Sequence, residues 1–122
     1  MTSIKIKRVY EDFEESDGYR VLVDRLWPRG MKKKNLHYDL WAKDITPSST
    51  LRKWYHQNMD ENWETFVSAY QKELDNVSDM GSYIDELKKH PVVTLLYASK
   101  DSTHNHAIIL QSYLEALLGH AR

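Results

Sequence analysis

Residues 92–98 read Val-Val-Thr-Leu-Leu-Tyr-Ala, and this stretch decides the fold. It is apolar throughout except for Thr94, and it starts with two β-branched residues, which favours a buried strand. His90-Pro91 precedes it and the polar segment 100–105 follows it, so both ends of the strand are marked. Continuous apolar strands of this kind are typical of parallel sheets that are covered on both sides.

A second apolar run lies earlier in the chain, at Val21-Leu22-Val23 within residues 19–26. Asp17-Gly18 is a turn signal before it, and Pro28 and Gly30 end it. Helical segments separate the two runs, so we expect them to form a parallel pair joined by a right-handed crossover.

The remaining segments predict one more strand and several helices. Ile and Lys alternate over Ile4–Lys7, which indicates a half-exposed strand at the edge of the sheet. Thr46-Pro47 is typical of an N-cap followed by a proline at the first helical position, and Asp60 is a good cap for a second helix. That second helix carries an apolar stripe at three- and four-residue steps, which predicts that one face is buried: Trp63, Phe66, Val67, Tyr70 and Leu74.

A short helix around Ile84 and a last helix that ends near Leu118 complete the pattern, whereas Met31 to Ile45 has no clear period and predicts a long connection. Trp54 and Trp63 are both expected in the core. The fold class predicted is therefore α/β, with a small open, mainly parallel sheet and helices packed on its faces. We expect a single α/β domain over residues 1–122, a length that suits one domain.

Composition excludes several classes of function. The 122 residues include no cysteine, so disulfides, thiolate metal sites and cysteine nucleophiles are excluded. The first ten residues show no signal-peptide core and no apolar run is long enough to span a membrane, which predicts a cytoplasmic protein without a membrane partner. A formal net charge of −1 argues against bulk attraction to nucleic acid.

The charges are unevenly distributed along the chain. Residues 20–34 hold six basic side chains against the single acid Asp24, and residues 60–86 hold eight acids against the single base Lys72. Such polarity could steer an anion towards one end of the molecule, or each block could be a solvated surface.

The two predicted parallel strands place two segments side by side as a candidate site, because ligands of open α/β sheets bind beyond the carboxyl ends of the strands. The first segment, residues 24–30, contains Arg25 and Arg29 around a Pro-Gly turn, and the two guanidinium groups could hold a phosphate or carboxylate. Trp27 between them could stack on a base or a sugar ring, or it could cover the core.

The second segment, residues 99–106, joins the apolar strand to the last helix. Lys100 and the N–H groups at the start of that helix could bind an anion, while Asp101 or Ser102 could cap the helix instead. Asn105 and His106 are further candidates for ligand contact. His104-x-His106 has no cysteine and no helical metal-ligand spacing beside it, so we expect no metal there. Neither a glycine-rich phosphate loop nor a serine nucleophile elbow is present.

Several stretches resemble the YeaO-like family of small proteins, and the resemblance covers nearly the whole chain. The most specific are Arg25-Leu26-Trp27-Pro28-Arg29-Gly30 and His104-Asn105-His106-Ala107. The others are Gly18 to Asp24, Trp41, Pro47-Ser48, Leu51-Arg52, Trp63, Phe66, Tyr70, Glu73-Leu74, Leu95 to Ala98 and Lys100-Asp101. The resemblance implies a compact α/β fold without a second domain, and it assigns no reaction, cofactor or catalytic residue.

The leading hypothesis is a pocket for a small anionic ligand, phosphorylated or nucleotide-like, held by Arg25, Arg29 and Lys100. If the pocket performs chemistry, Asp24 and His104 are the expected acid–base pair. Two alternatives come from other classes: a nucleic-acid-binding module that uses the basic segment Arg20–Lys34, and a protein–protein adaptor with an aromatic surface. Substrate identity, cofactor and oligomeric state are left open at this point.

Overall fold

The computed structural model describes residues 2–119, and within them it contains a four-stranded sheet and four α-helices. The strands are β1 (Ser3–Arg8), β2 (Tyr19–Leu22), β3 (Leu40–Trp41) and β4 (Val92–Tyr97). The helices are α1 (Ser49–Gln57), α2 (Met59–Asp75), α3 (Met80–Leu87) and α4 (His106–Leu117). The strand order is β1-β4-β2-β3, and every neighbouring pair is parallel.

The predicted parallel pair is confirmed, because β2 and β4 are neighbours with Val21 opposite Leu95. The predicted edge strand is also confirmed, since β1 pairs only with β4 in the sheet. The connection predicted over residues 31–45 contains an additional strand, β3, which pairs with β2. A two-residue strand is too short to show an alternating pattern, and its position is set by hydrogen bonds from the N–H groups of Asp39 and Ala42 to β2.

The sheet separates two core clusters, because successive strand residues point to opposite faces. All four helices contribute to the larger cluster, in which Phe66 and Tyr70 of α2 join Val21 and Leu95 of the sheet. The opposite face carries a smaller cluster that residues 27–41 cover, with Leu22 and Leu96 at its centre. The α/β class is therefore confirmed, with helices on one face and a connecting segment on the other.

Helix starts differ from the prediction by a few residues, and side-chain hydrogen bonds explain each difference. Ser48, and not Thr46, caps α1, because the Thr46 hydroxyl donates to the carbonyl of Lys43. Asn58 replaces Asp60 as the cap of α2, and its side chain accepts from the N–H of Glu61. These caps satisfy N–H groups that have no partner within the helix.

Of the two tryptophans expected in the core, Trp63 is half-buried and packs against the larger cluster. The prediction for Trp54 is wrong, because its side chain is 36% exposed. Tyr55, the next residue, is the one that α1 buries. Adjacent residues on a helix point about 100° apart, so a small error in helix phase exchanges a buried residue for an exposed one.

Gly18 allows β2 to start directly beside β4. Its φ of 66° lies in the left-handed region, and a Cβ atom placed there would lie 2.3 Å from the carbonyl oxygen of Val92. Only glycine tolerates both conditions. The turn signal Asp17-Gly18 thus has a steric reason as well as a conformational one.

Candidate functional site

A cleft of about 710 Å³ lies at the carboxyl edge of the sheet. Three of the parallel strands direct their carboxyl ends to it. The lining residues are Arg8 and Tyr10 at and after the end of β1, residues 24–29 after β2, and residues 98–100 and 104–106 after β4. Helix α1 supplies another wall. Parallel strands end at one edge, and open α/β sheets place their ligands there.

All eight site residues predicted from the sequence line this one cleft. They are Asp24, Arg25, Trp27, Arg29, Lys100, His104, Asn105 and His106. Their roles toward a ligand stay predictions, but the structure brings the two candidate segments together.

Asp24 is held in place by three contacts. One of its carboxylate oxygens accepts a hydrogen bond from the N–H of Ala98 (2.9 Å), and its backbone carbonyl accepts from the indole of Trp41 (2.7 Å). The other carboxylate oxygen lies 3.1 Å from Nε2 of His106. Asp24 therefore joins the end of β2 to the end of β4 and also orients a histidine.

The structure pairs Asp24 with His106, and no hydrogen bond joins it to His104. The His104 ring is exposed, its Nδ1 lies 3.1 Å from the Thr103 hydroxyl, and its edge contacts Trp63 at a centroid distance of 4.8 Å. His106 is the first residue of α4 and is half-buried, so it faces the end of β2. Sequence spacing alone does not show which of these two histidines pairs with Asp24. The start of α4 at His106 decides it.

Two arginines of the cleft have guanidinium groups that are fixed by neutral carbonyl oxygens. Arg25 donates to the carbonyls of Pro47 (3.1 Å) and Thr46 (3.4 Å). Arg8 donates to the carbonyls of Ser99 (2.9 Å) and Ala98 (3.2 Å). Within residues 2–119 neither guanidinium forms an ion pair with a carboxylate, so no negative side chain offsets its charge.

Three further cations line the cleft without any side-chain partner in the described part of the chain. Arg29 and Lys100 are exposed, and Arg52 of α1 is half-buried. Among the lining residues the only carboxylate is Asp24, which His106 already engages. Glu11 is close by, but its carboxylate accepts from the backbone N–H of Arg8. The cleft therefore carries a large excess of positive charge.

The loop before α4 satisfies its own polar groups. The Asp101 carboxylate accepts from the N–H groups of Thr103 and His104, both at 2.9 Å. These hydrogen bonds, that of His104 first, hold the pKa of Asp101 below its usual value. Asn105, and neither Asp101 nor Ser102, caps α4 by accepting from the N–H of Ile108, and its amide donates to the carbonyl of Asp101.

Aromatic side chains form the apolar part of the cleft. Trp27 lines it, but its indole also donates to the carbonyl of Met31 (2.5 Å) and packs edge-on against Trp41 at 5.5 Å. Tyr55 lies deeper, and burial raises its pKa, with smaller contributions from Asp101 and Asp60. The rings of Tyr55 and Trp27 thus offer an apolar surface beside the cations.

Sequence reasoning missed Arg8 and Arg52 as site residues. Arg8 is the last residue of β1, and it becomes a candidate once β1 is known to run parallel to β4. Arg52 lies on the same face of α1 as Tyr55 and His56, three and four residues later, so a correct assignment of that helix face would have identified it. Residues 2–119 bring together no group of three histidine or carboxylate side chains that could hold a metal ion. No helix in the same range is long and apolar enough to cross a membrane.

The fold and the cleft define a class: a small protein with a four-stranded parallel sheet and a cationic cleft at its carboxyl edge. The chain belongs to the family described as the inactive DUF488-N3 subclade, which it matches over residues 3–122.

Curated relatives agree with this assignment and with the resemblance seen in the sequence. The chain is 46% identical to the uncharacterized protein YeaO of Escherichia coli (strain K12) over 115 residues, 94% of this chain and 99% of that protein. It is 39% identical to the uncharacterized proteins Mb3100c of Mycobacterium bovis and Rv3073c of Mycobacterium tuberculosis, over 93% of this chain and 94% of each of those proteins. No solved structure matches the chain significantly.

Proposed function

We propose that the cleft binds a small anionic ligand that carries a phosphate or carboxylate group and a planar or apolar part, as a nucleotide does. One observation carries the proposal: five cationic side chains line the cleft, and none of them has a carboxylate partner within residues 2–119. The two nearest carboxylates in the neighbouring segments have other contacts: Asp24 pairs with His106, and Asp101 accepts from the backbone N–H groups of Thr103 and His104.

Two of the cationic side chains are already held in fixed orientations before an anion binds. The guanidinium groups of Arg8 and Arg25 are already oriented by backbone carbonyls, so binding costs little additional ordering of these side chains. His106 begins α4, and the partial positive charge at a helix N-terminus favours an anion at the same place. An anion would thus reduce the repulsion among charges that the fold holds close together.

The size and lining of the cleft suit a small molecule. Its volume of about 710 Å³ falls within the range of small-molecule sites, which is roughly 300–1,000 Å³. Tyr10, Trp27 and Tyr55 supply ring surface next to the cations. A phosphate alone would leave that ring surface unused, which favours a ligand with a base or another flat group.

Binding without turnover is the function that fits best. The family is described as an inactive subclade, and that word favours a binding protein over a catalyst. The Asp24–His106 pair is of the type that transfers protons in enzymes, and in a binding protein the same pair would recognise a ligand.

The test is a titration of phosphate and nucleoside monophosphates, followed by NMR of the Trp27 indole N–H. We expect saturable shifts in the wild type, and a loss of affinity of about tenfold or more in the double variant Arg29→Ala/Lys100→Ala, because each charged contact is worth roughly 1.5–3 kcal/mol. Lys53→Ala is the control, since Lys53 is exposed on α1 and does not line the cleft. A wild type that responds to no anion would refute the proposal.

A nucleic-acid strand is the second candidate, and the exposed lysines 32–34 favour it. They follow Arg29 closely in the chain, and none of them forms an ion pair within the described residues. Binding of this kind weakens steeply with salt, because phosphate contacts release counterions. An oligonucleotide that binds no tighter than a mononucleotide at low salt would exclude it.

A further inference from the structure

The cationic side chains of the cleft are attached to two different parts of the fold. Arg8 ends β1, and its guanidinium donates to the carbonyls of residues 98–99, which follow β4. Arg25 comes after β2, and its guanidinium donates to the carbonyls of residues 46–47, which precede α1. Strand β4 lies between β1 and β2, so the ends of these two strands are about 10 Å apart, twice the spacing of neighbouring strands. One guanidinium is therefore held at the end of β4 and the other at the start of α1.

Two further cations belong with Arg8. Lys100 comes directly after Ser99, whose carbonyl accepts from Nε of Arg8 at 2.9 Å. The Arg8 guanidinium also packs over the Tyr10 ring at 5.0 Å, and the hydroxyl of that tyrosine donates to the carbonyl of Arg29 at 2.7 Å. We call Arg8, Arg29 and Lys100 the sheet-side cations.

The remaining cation belongs with Arg25. Arg52 lies on α1, and its N–H donates at 3.0 Å to the carbonyl of Ser48, the residue that caps this helix. Ser48 directly follows Pro47, whose carbonyl accepts from Arg25 at 3.1 Å. We call Arg25 and Arg52 the helix-side cations.

A carboxylate lies between these two groups of cations. Asp24 directly precedes Arg25 in the chain, and its carboxylate accepts at 2.9 Å from the N–H of Ala98, whose carbonyl accepts from Arg8. Asp24 is the only carboxylate among the residues that line the cleft, and it repels an anion placed beside it. One compact anion that touched both groups of cations would lie next to this carboxylate, whereas a neutral part of a ligand would not be repelled there.

We propose that the cleft binds a ligand with two anionic groups joined by a neutral middle part, one group at the sheet-side cations and the other at the helix-side cations. This rests on the proposed function and specifies the ligand class: a molecule with two separate oxyanion groups, such as a bisphosphate or a phosphorylated carboxylic acid. Joining the groups raises affinity, because the second group binds at a high effective concentration once the first is bound.

Titration calorimetry with three phosphonates separates the effect of spacing from that of charge. Hexamethylenebisphosphonate carries its two phosphonates at the ends of a flexible carbon chain, methylenebisphosphonate carries both on one carbon, and methylphosphonate has a single group. We expect the long bisphosphonate to bind about tenfold or more tighter than either of the others. If total charge alone determined affinity, the short bisphosphonate would bind as tightly as the long one.

Two variants remove one cation from each group. In the described part of the chain the side chains of Arg52 and Lys100 have no partner, so Arg52→Ala and Lys100→Ala should both fold. Each should weaken binding of the long bisphosphonate by about tenfold, whereas methylphosphonate, which needs only one group of cations, should be weakened strongly by at most one of them. Lys53→Ala is the matched control, since Lys53 is the exposed neighbour of Arg52 and does not line the cleft.

The possible failures of this inference and of the proposed function are distinguishable. A short bisphosphonate that binds as tightly as the long one overturns the inference and leaves the proposed function standing. So does a long bisphosphonate whose affinity does not fall in both variants. A wild type that binds none of the three phosphonates, and neither phosphate nor a nucleoside monophosphate, refutes the proposed function itself.

Discussion

Replacing Asp17 by asparagine removes the carboxylate on which a buried ionic cluster depends. Lys7 donates to both Asp17 carboxylate oxygens at 3.1 Å, and the Arg20 guanidinium forms a short ion pair with one of them. The N–H of Glu14 also donates to this carboxylate at 3.1 Å. The side chains of Asp17 and Arg20 are each only 3% exposed. Solvent therefore cannot replace the contacts that the substitution removes.

The expected loss of unfolding free energy is about 3–5 kcal/mol, the usual cost of removing one member of a buried ion pair. An asparagine oxygen could still accept one hydrogen bond, but its NH₂ group would face two cations. Arg20 would keep its hydrogen bond to the His37 carbonyl and its place over the Phe13 ring, so two of its contacts would remain. The loss is a large part of the roughly 5–15 kcal/mol that stabilises a typical domain.

The pH dependence has a definite sign. Burial raises the pKa of Asp17, but the hydrogen bond from Glu14 and the contacts with Lys7 and Arg20 outweigh it and hold the pKa below the usual 3.8. A lowered pKa contributes stability that is present above the unfolded value and is lost as the pH falls through the folded one. The difference between wild type and Asp17→Asn should therefore be full at neutral pH and shrink below about pH 4.

Urea unfolding of both proteins between about pH 3 and pH 7 measures this difference. Glu14→Gln is the control, since Glu14 contacts the same Lys7 at 3.0 Å but its side chain is 65% exposed. Exposed pairs contribute about 0–1 kcal/mol, so this variant should remain close to wild type. A loss below about 1 kcal/mol for Asp17→Asn, or an equal loss for both variants, would show that the cluster is not the source of stability.

Gly18→Ala should destabilise by about 2 kcal/mol or more, because a Cβ atom would meet the Val92 carbonyl in a left-handed conformation. In Gly81→Ala, within α3, the new Cβ meets no atom within 4 Å, and the variant should be more stable by roughly 0.5–1 kcal/mol. Thermal melts in which both glycine variants shift the melting temperature in the same direction would contradict this. Leu110→Ala should cost about 2–5 kcal/mol in urea unfolding, because Leu110 is fully buried and leaves a cavity. Trp54→Ala is its surface counterpart, and a larger loss there than at Leu110 would mean that the core is misplaced.

Local sequence was sufficient for the features that depend on an apolar run. Val92 to Tyr97 and Val21 to Val23 have no polar face, so they specify buried strands, and the helical segments between them specify parallel pairing. The position of the cleft then follows from topology alone. Strand β3 does not follow from local sequence, because Leu40–Trp41 pairs only where Ala42 and Asp39 meet the backbone of β2.

The partners within the site depend on contacts that are distant in sequence. Asp24 and His106 are 82 positions apart in the chain, and their pairing depends on the first turn of α4, which Asn105 sets. Arg8 reaches the cleft because the edge strand is parallel to β4, which the alternation of Ile4 to Lys7 does not determine. The residue types therefore predicted a cationic site, but the side-chain pairs within it are known only from the three-dimensional structure.

The cationic side chains of this protein fall into two groups, those paired with a carboxylate and those that are not. Lys7 and Arg20 meet the Asp17 carboxylate, whereas the five cations of the cleft meet neutral carbonyls or solvent. Carboxylates are not scarce, because the formal net charge is −1, and residues 60–86 hold eight acids of which none lines the cleft. Clustered like charges without partners destabilise the folded state. Proteins tolerate such unfavourable local arrangements mainly at functional sites. The separation of charge thus points to the same cleft that the strand topology selects, by an argument independent of that topology.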